Sequence, residues 1–256
     1  MPTFLSDGVS LAYHVFGQGQ PILLIHGFAS NVEINWVSTG WVDTLVKAGY
    51  QVIAYDNRGH GQSQKLYDPS LYFAREMAAD AARLLDHLGI AEPVPVLGYS
   101  MGARIAAFLA LRQPQRLTCA VFGGMGLNLV TGLADSEEII EALTADSLSD
   151  VKGRSGRQFR IFAEHSKADR AALAACMISS REPMAEADVR RIETPALVAV
   201  GADDEMAGTA EALARLLPHG EAFTIPRRDH MRATGDIEFK KAALDFLARH
   251  GGRPVA

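Results

Sequence analysis

The sequence predicts an α/β fold, with a mostly parallel central sheet of about eight strands and helices on both faces. Short apolar runs alternate with helix-like segments through most of the 256 residues. These runs are apolar throughout instead of alternating with polar residues, which is typical of parallel strands covered on both sides. Connections of this kind favour right-handed crossovers, which place helices in two layers around the sheet.

The individual elements follow from these runs in chain order. The predicted strands are residues 11–17, 21–27, 51–56, 93–99, 117–124, 195–202 and 221–226. The predicted helices are residues 41–49, 72–89, 101–113, 208–218 and 236–251. The second of these helices has the clearest periodicity, because one face carries Met77, Ala81, Leu84, Leu85 and Leu88.

One stretch departs from the alternation of strands and helices. Residues 125–192 contain several short helical patterns and no strand-like run. No low-complexity linker separates this stretch from the rest of the chain. We therefore predict a core made of residues 1–124 and 193–256, with residues 125–192 forming a helical cap insertion over the sheet.

Composition and charge argue against several classes of protein. Hydrophobic residues make up 48% of the chain, charged residues 21%, and the net charge is −5, so we expect neither disorder nor a nucleic-acid partner. The first residues do not resemble a signal peptide, and the apolar runs are too short to span a membrane. Cys119 and Cys176 suggest no disulfide scaffold. We expect a reduced, cytoplasmic protein that does not bind membranes.

The segment Gly98-Tyr99-Ser100-Met101-Gly102 places a serine between an apolar strand and a helix. In such a corner the serine takes a strained backbone conformation that exposes its hydroxyl, and the glycines leave room for the turn. The N-terminus of the following helix favours negative charge near the serine. A helix-capping serine in a Gly-rich turn is the alternative, but the strand before it and the helix after it favour a nucleophile.

Three further segments accompany this serine, and with it they resemble the α/β-hydrolase family. His26-Gly27-Phe28 lies at the end of an apolar strand, and residues 56–63 read DNRGHGQS, similar to the family turn D-x-R-G-x-G-x-S. The family order of serine, acidic residue and histidine is met by Ser100, then Asp203 or Asp204, then His230. The resemblance covers nearly the whole chain and implies the α/β-hydrolase fold.

The resemblance also implies a catalytic role for three side chains. Ser100 is expected to be the nucleophile, and His230, which follows the last predicted strand, the general base. The acid that orients the imidazole is expected just after the strand over 195–202. The family pattern G-x-x-D favours Asp204, but the proline that often follows in the family is missing, so Asp203 stays open.

Two backbone groups complete the expected site. The N–H of Met101, directly after the nucleophile, and the N–H of Phe28, in the loop after an earlier strand, are expected to form an oxyanion hole. Their side chains are free to line the acyl pocket or to fill the core. The sequence contains no metal-ligand cluster and no dinucleotide motif after a strand, so we expect neither a metal nor a cofactor.

These residues predict a serine hydrolase that cleaves small carboxylic esters through an acyl-enzyme intermediate. One alternative is a carbon–carbon bond hydrolase of a ring-cleavage product, which needs an arginine beside the nucleophile; Arg104 is predicted to point away from the pocket. Others are a cofactor-free haloperoxidase or perhydrolase and a non-catalytic receptor for a small ligand. The expected partner is a small ester, and the chain is expected to be a monomer or homodimer.

Overall fold

The computed structural model describes residues 1–252 and contains one eight-stranded sheet. The strands occur in the order β1-β2-β4-β3-β5-β6-β7-β8. Their bounds are β1 Thr3–Ser6, β2 Val9–Phe16, β3 Gln20–Ile25, β4 Tyr50–Tyr55, β5 Val94–Tyr99, β6 Leu117–Gly123, β7 Ala196–Gly201 and β8 Gly220–Ile225. All pairings from β4 through β8 are parallel, whereas β1 pairs with β2 and β2 pairs with β4 in antiparallel fashion. The predicted fold class is confirmed.

The helices number α1 to α11 along the described chain. Their bounds are α1 Trp41–Lys47, α2 Ala74–His87, α3 Met101–Arg112, α4 Asn128–Thr131, α5 Ser136–Thr144, α6 Arg154–His165, α7 Arg170–Ser180, α8 Glu186–Val189, α9 Ala210–Ala214, α10 His230–Ala233 and α11 Ile237–His250. A π-helical turn covers Glu33–Val37, and 3-10 turns cover Pro69–Tyr72, Pro114–Arg116 and Leu148–Asp150.

The two faces of the sheet pack against different helices. Successive residues of β3 point to opposite faces, with Leu23 in one buried cluster and Leu24 in the other. Helices α2 and α3 belong to the first cluster, and α1 and α11 belong to the second, where Trp41 packs edge-on against Phe239 at 5.0 Å between ring centroids. This double burial explains why the parallel strands read as unbroken apolar runs.

Strand β1 was not among the runs predicted from the sequence. It has only four residues, alternates exposed and buried side chains, and pairs with β2 at the edge of the sheet. Short alternating edge strands give a weaker signal than buried parallel strands, because only one of their faces is covered.

Residues 125–192 fold into helices α4 to α8 and one 3-10 turn, with no strand. Their buried apolar side chains, Phe159 of α6 among them, join the cluster that contains α2 and α3. The Phe159 ring lies 5.7 Å from the Phe28 ring, which follows β3. This segment therefore reaches the carboxyl ends of the parallel strands, where ligand sites of open α/β sheets lie. Within residues 1–252, no helix has the length and apolarity needed to cross a membrane.

Candidate active site

Ser100 occupies the corner between β5 and α3. Its backbone angles, φ 53° and ψ −114°, lie in a region that residues other than glycine rarely adopt. Gly98 and Gly102 are required because neighbouring backbone atoms lie too close to them to leave room for a Cβ. A Cβ on Gly98 would lie 2.2 Å from the carbonyl oxygen of Gly102, and a Cβ on Gly102 would lie 1.9 Å from the carbonyl oxygen of Ile25. The local sequence therefore fixes a turn that carries the serine hydroxyl out of the sheet.

Three side chains from distant parts of the chain form one line of hydrogen bonds. The Ser100 Oγ lies 2.9 Å from Nε2 of His230, and Nδ1 of His230 lies 2.7 Å from Oδ2 of Asp204. Because an ionised carboxylate can only accept, Nδ1 carries the proton and donates to Asp204. Nε2 is then free to accept the Ser100 proton, which is the tautomer that a general base needs.

The structure places Asp204, and not Asp203, against the histidine. The Asp204 side chain is fully buried, and its Oδ1 accepts hydrogen bonds from the N–H groups of Met206 and Ala207 at 2.9 Å and 3.0 Å. These bonds leave Oδ2 for the imidazole. Asp203 is exposed to solvent, so its carboxylate takes no part in the line of hydrogen bonds.

His230 is held at the first residue of the short helix α10. The preceding Asp229 caps this helix, since its Oδ1 accepts from the N–H groups of Met231 and Arg232 at 3.1 Å and 2.8 Å. The Tyr99 hydroxyl donates to the carbonyl oxygen of His230. Side-chain and backbone contacts together therefore fix the direction of the imidazole ring.

The N–H groups of Phe28 and Met101 have no hydrogen-bond acceptor among residues 1–252. Met101 is the first residue of α3, where an N–H has no partner within the helix. The loop that carries Phe28 is held next to it: Gly27 donates its N–H to Oδ1 of Asn35 at 2.9 Å and accepts from Nδ1 of His26 at 2.7 Å. Two free amides thus lie beside the serine corner, as an oxyanion site requires.

His26 has a positioning role toward this loop. Its Nε2 accepts the N–H of Asn57 at 2.9 Å, which leaves Nδ1–H to hold the carbonyl oxygen of Gly27. Complete burial lowers the pKa of His26, and this favours the neutral form that the two hydrogen bonds require. The family turns around His26 and Asp56 are therefore structural supports of the site.

A cavity of about 200 Å³ opens at Ser100. Its wall is mostly apolar and comes from the loop after β3, the π-helical turn, helix α6 and helix α10; the apolar side chains are Phe28, Ile34, Phe159, Phe162 and Met231. A larger polar groove of about 650 Å³ is also lined by His230. His230 thus lines both an apolar cavity and a polar groove.

Asn35 is a residue of this cavity that the sequence did not reveal. It lies in the π-helical turn, its Oδ1 accepts from Gly27, and its buried Nδ2 has no hydrogen-bond partner in the described part of the chain. The orientation of the amide is fixed, because the N–H of Gly27 needs an acceptor. Single π-helical turns often mark functional sites, but their sequences carry no distinctive pattern.

The prediction that Arg104 points away from the pocket is wrong. Its buried side chain lines a narrow recess that also touches Ser100 and His230. The guanidinium is nevertheless occupied, since it donates to the backbone carbonyl oxygens of Asn128, Leu129 and Glu182. Arg104 anchors helix α4 and the loop after α7 to helix α3, because carbonyls deprived of water need such donors.

No group of three or more histidine, cysteine, aspartate or glutamate side chains within residues 1–252 is arranged to hold a metal ion. Both cysteines are buried, and neither forms a disulfide. The groups that the described residues bring to Ser100 are a hydroxyl, an imidazole and two amide N–H donors.

Comparison with known proteins identifies the class. A model of the alpha/beta hydrolase fold family matches residues 20–155, more than half of the chain. The chain therefore belongs to this family of hydrolases. It is similar to a carboxylesterase structure from Nitrososphaera gargenis, with a TM-score of 0.77, 22% identity, and coverage of 97% of this chain and 98% of that one. That likeness concerns the fold.

Relatives with higher identity cover less of the chain. A non-heme haloperoxidase of Rhodococcus erythropolis is 36% identical over 122 residues, which are 46% of this chain and 42% of that protein. Epoxide hydrolase 2 of Siraitia grosvenorii is 34% identical over 122 residues, 46% of this chain and 36% of that protein. The matched part spans less than half the length of either relative. These relatives differ in the reactions that their names describe.

Proposed function

We propose that this protein is a serine hydrolase of small carboxylic esters, with Ser100, His230 and Asp204 as its catalytic triad. The observation that carries the proposal is the continuous line of hydrogen bonds from Ser100 through His230 to the buried Asp204, at 2.9 Å and 2.7 Å. A receptor that only binds a ligand has no chemical need for this arrangement. The free amides of Phe28 and Met101 beside the serine add the electrostatic part of the site.

The first half of the reaction acylates the serine. Oγ of Ser100 forms a bond to the ester carbonyl carbon while its proton passes to Nε2 of His230. The carbonyl oxygen becomes an oxyanion that accepts from the N–H groups of Phe28 and Met101. The bond to the alcohol oxygen then breaks, and the proton on His230 moves to that oxygen, so that the alcohol leaves neutral.

The second half restores the enzyme. A water molecule gives a proton to Nε2 of His230 as its oxygen attacks the acyl carbon. The second oxyanion is held by the same two amides, and it collapses by breaking the bond to Oγ of Ser100, which recovers its proton from His230. Asp204 keeps its charge throughout and stabilises the imidazolium formed at each step.

We infer that residues 125–192 act as a cap that shapes the acyl pocket. Phe159 and Phe162 of α6 line the 200 Å³ cavity opposite Ser100. This volume is below the range of pockets for drug-sized ligands, which begin at about 300 Å³. The cavity therefore favours short acyl groups over long ones.

The test is hydrolysis of 4-nitrophenyl butyrate by the purified protein. We expect turnover by the wild-type enzyme and a loss of at least about 10⁴-fold in kcat for Ser100→Ala and for His230→Ala, with the folded state retained. A matched control is Ser147→Ala, an exposed serine in residues 125–192. Absence of turnover, or equal rates in Ser100→Ala and the wild type, would refute the proposal.

The similarity to a haloperoxidase favours one second candidate, perhydrolysis at the same site. Here hydrogen peroxide replaces water: its oxygen bonds to the acyl carbon while His230 takes its proton. The bond from that carbon to Oγ of Ser100 then breaks, Oγ recovers the proton from His230, and the released peracid oxidises halide in solution. The step needs no cofactor. Peracid formation from an ester and peroxide that survives in Ser100→Ala would exclude this route.

A further inference from the structure

We propose that Arg181 binds a carboxylate carried by the acyl group of the substrate, so that the preferred esters are half-esters of dicarboxylic acids. The inference rests on the proposed function, since it names the substrate class of the same site. Arg181 directly follows helix α7, in residues 125–192, and was not among the candidates from the sequence.

The position of Arg181 is the first observation. Its guanidinium carbon lies 5.1 Å from the centroid of the Phe28 ring, the residue whose N–H is free beside Ser100. The side chain lines the narrow recess that also touches Ser100, Phe159 and His230. Arg181 and Ser100 therefore line the same recess.

The second observation is that Arg181 has no anionic partner within residues 1–252. Its hydrogen bond from Nε goes to the thioether sulfur of Met177, a weak acceptor, at 3.3 Å. The most buried arginines of the described chain all have ion-pair or hydrogen-bond partners for their guanidinium groups. Arg58 pairs with Asp80, Arg104 donates to three carbonyls, and Arg160 pairs with Glu164 and donates to two carbonyls.

The groups around Arg181 do not supply the missing charge. Glu182, the next residue, pairs with Arg75 at 3.1 Å. Arg104 is a second cation near the recess. Burial lowers the pKa of His60 to about 3 and raises the pKa of Cys176 to about 11, so both are neutral near pH 7. The carboxylate of Asp204 is hydrogen-bonded to His230, Met206 and Ala207, which also line the recess, and is therefore already engaged. The two guanidinium groups of Arg181 and Arg104 thus favour an anionic ligand group.

Desolvation makes this arrangement costly without a ligand. Burial lowers the pKa of Arg181 to about 10, and the guanidinium still carries its charge near pH 7. A cation taken partly out of water without a counter-ion is unfavourable, and a carboxylate with charge-assisted hydrogen bonds relieves that cost. Arginine is suited to this role because its planar fork matches a carboxylate.

The shape of the site indicates which part of the ester carries the carboxylate. The leaving alcohol departs once it has received a proton from His230, so the alcohol part of the ester does not stay at the site. The acyl part remains bonded to Ser100, next to the apolar cavity and the recess. The recess has a volume of about 10 Å³, close to that of one water-sized group, so a small polar group is the ligand that suits it.

The test compares two esters with five-carbon acyl groups, 4-nitrophenyl hydrogen glutarate and 4-nitrophenyl pentanoate, after subtraction of spontaneous hydrolysis. We expect the wild-type enzyme to prefer the glutarate half-ester in kcat/KM. Arg181→Met should lower the ratio of the two kcat/KM values by about 10- to 100-fold, mainly through KM of the glutarate half-ester. Arg181→Lys should recover part of the ratio.

The matched control is Arg190→Met, which removes an exposed arginine directly after α8 in the same segment. Its ratio should equal that of the wild type. A wild-type enzyme that prefers pentanoate, or an Arg181→Met ratio equal to that of Arg190→Met, overturns the carboxylate site and leaves the esterase proposal standing.

A binding measurement separates this inference from the proposed function. In a Ser100→Ala background, which cannot turn over substrate, calorimetry should show that the glutarate half-ester binds about 10-fold or more weakly after Arg181→Met and equally well after Arg190→Met. If the wild type hydrolyses neither ester, the esterase proposal fails, and this experiment alone decides on Arg181. Equal affinities in the two double variants would overturn the carboxylate site.

Discussion

Oδ2 of Asp204 accepts a hydrogen bond from Nδ1 of His230 at 2.7 Å, while the other oxygen of the same carboxylate is held by two backbone N–H groups of its own loop. The orientation of the Asp204 carboxylate is therefore fixed by its own loop, independently of the imidazole. Because the Asp204 side chain is fully buried, its charge acts on the histidine with little screening by water.

This relationship predicts unequal effects at two neighbouring aspartates. Asp204→Asn should lower kcat on an aryl ester by about 10³- to 10⁴-fold, since an amide at this position favours the wrong imidazole tautomer. Asp203→Asn, at an exposed side chain, is the matched control and should change kcat by less than about threefold. Comparable losses in the two variants would show that the acid has been assigned wrongly.

Close packing at the serine corner predicts a large stability effect at Gly102. Its Ala variant should lose at least about 3 kcal/mol of unfolding free energy, because the new Cβ would lie 1.9 Å from the carbonyl oxygen of Ile25. Gly89→Ala, where a Cβ meets nothing within 4 Å but φ is +70°, should cost only about 1 kcal/mol. Urea denaturation measures both, and similar losses would mean that the turn is looser than described.

The buried pair of Arg58 and Asp80 predicts a second stability effect. Asp80→Asn should destabilise the protein by about 3–5 kcal/mol, because the Arg58 guanidinium, 2.6 Å from the carboxylate, stays buried without its counter-ion. Asp86 lies on the same helix as Asp80 and pairs with Arg116. Because Asp86 is largely exposed, we expect Asp86→Asn to lower the unfolding free energy by less than about 1 kcal/mol. If the Asp80 variant is as stable as the Asp86 variant, the pair adds nothing to the fold.

Burial of His60 predicts a dependence of stability on pH. Its pKa falls from an ordinary 6.5 to about 3 in the folded state, with burial as the largest cause. Between pH 6.5 and pH 3 the imidazole of His60 binds a proton in the unfolded chain but not in the folded protein. The stability of the fold therefore decreases as the pH is lowered from 6.5 toward 3. Above pH 6.5 this group does not change the stability.

The slope is measured by urea denaturation between pH 6 and pH 4.5. His60→Asn should reduce the loss of stability by up to about 1.4 kcal/mol per pH unit relative to the wild type. The control His165→Asn, at an exposed histidine, should leave the slope unchanged. Parallel curves for the wild type and His60→Asn would show that His60 titrates normally.

Much of the fold was predictable because its requirements appear as local patterns. The unbroken apolar runs of the parallel strands reflect burial on both faces, and the two glycines around Ser100 reflect a turn in which a Cβ has no room. The resemblance to the α/β-hydrolase family then implied that the late His230 serves the serine. The edge strand Thr3–Ser6 gave no such signal, since it is short and only half covered.

Other features depend on three-dimensional arrangement. The choice between Asp203 and Asp204 follows from a turn in which the N–H of Asp204 donates to the carbonyl oxygen of Gly201, a detail that composition does not reveal. Arg181 and Asn35 reach the site only through the packing of residues 125–192 and of a π-helical turn. The position of Arg104 was predicted wrongly for the same reason, because the carbonyls that hold it belong to residues that are distant in the chain.

The most direct test of the central claim is labelling of the native protein with an aryl phosphonate, read by intact mass and peptide mass spectrometry. We expect one adduct per chain on Ser100, formed much more slowly in His230→Ala, because that variant lacks the base that activates the hydroxyl. A folded wild-type protein that gains no adduct, or gains it on another residue, would contradict the account.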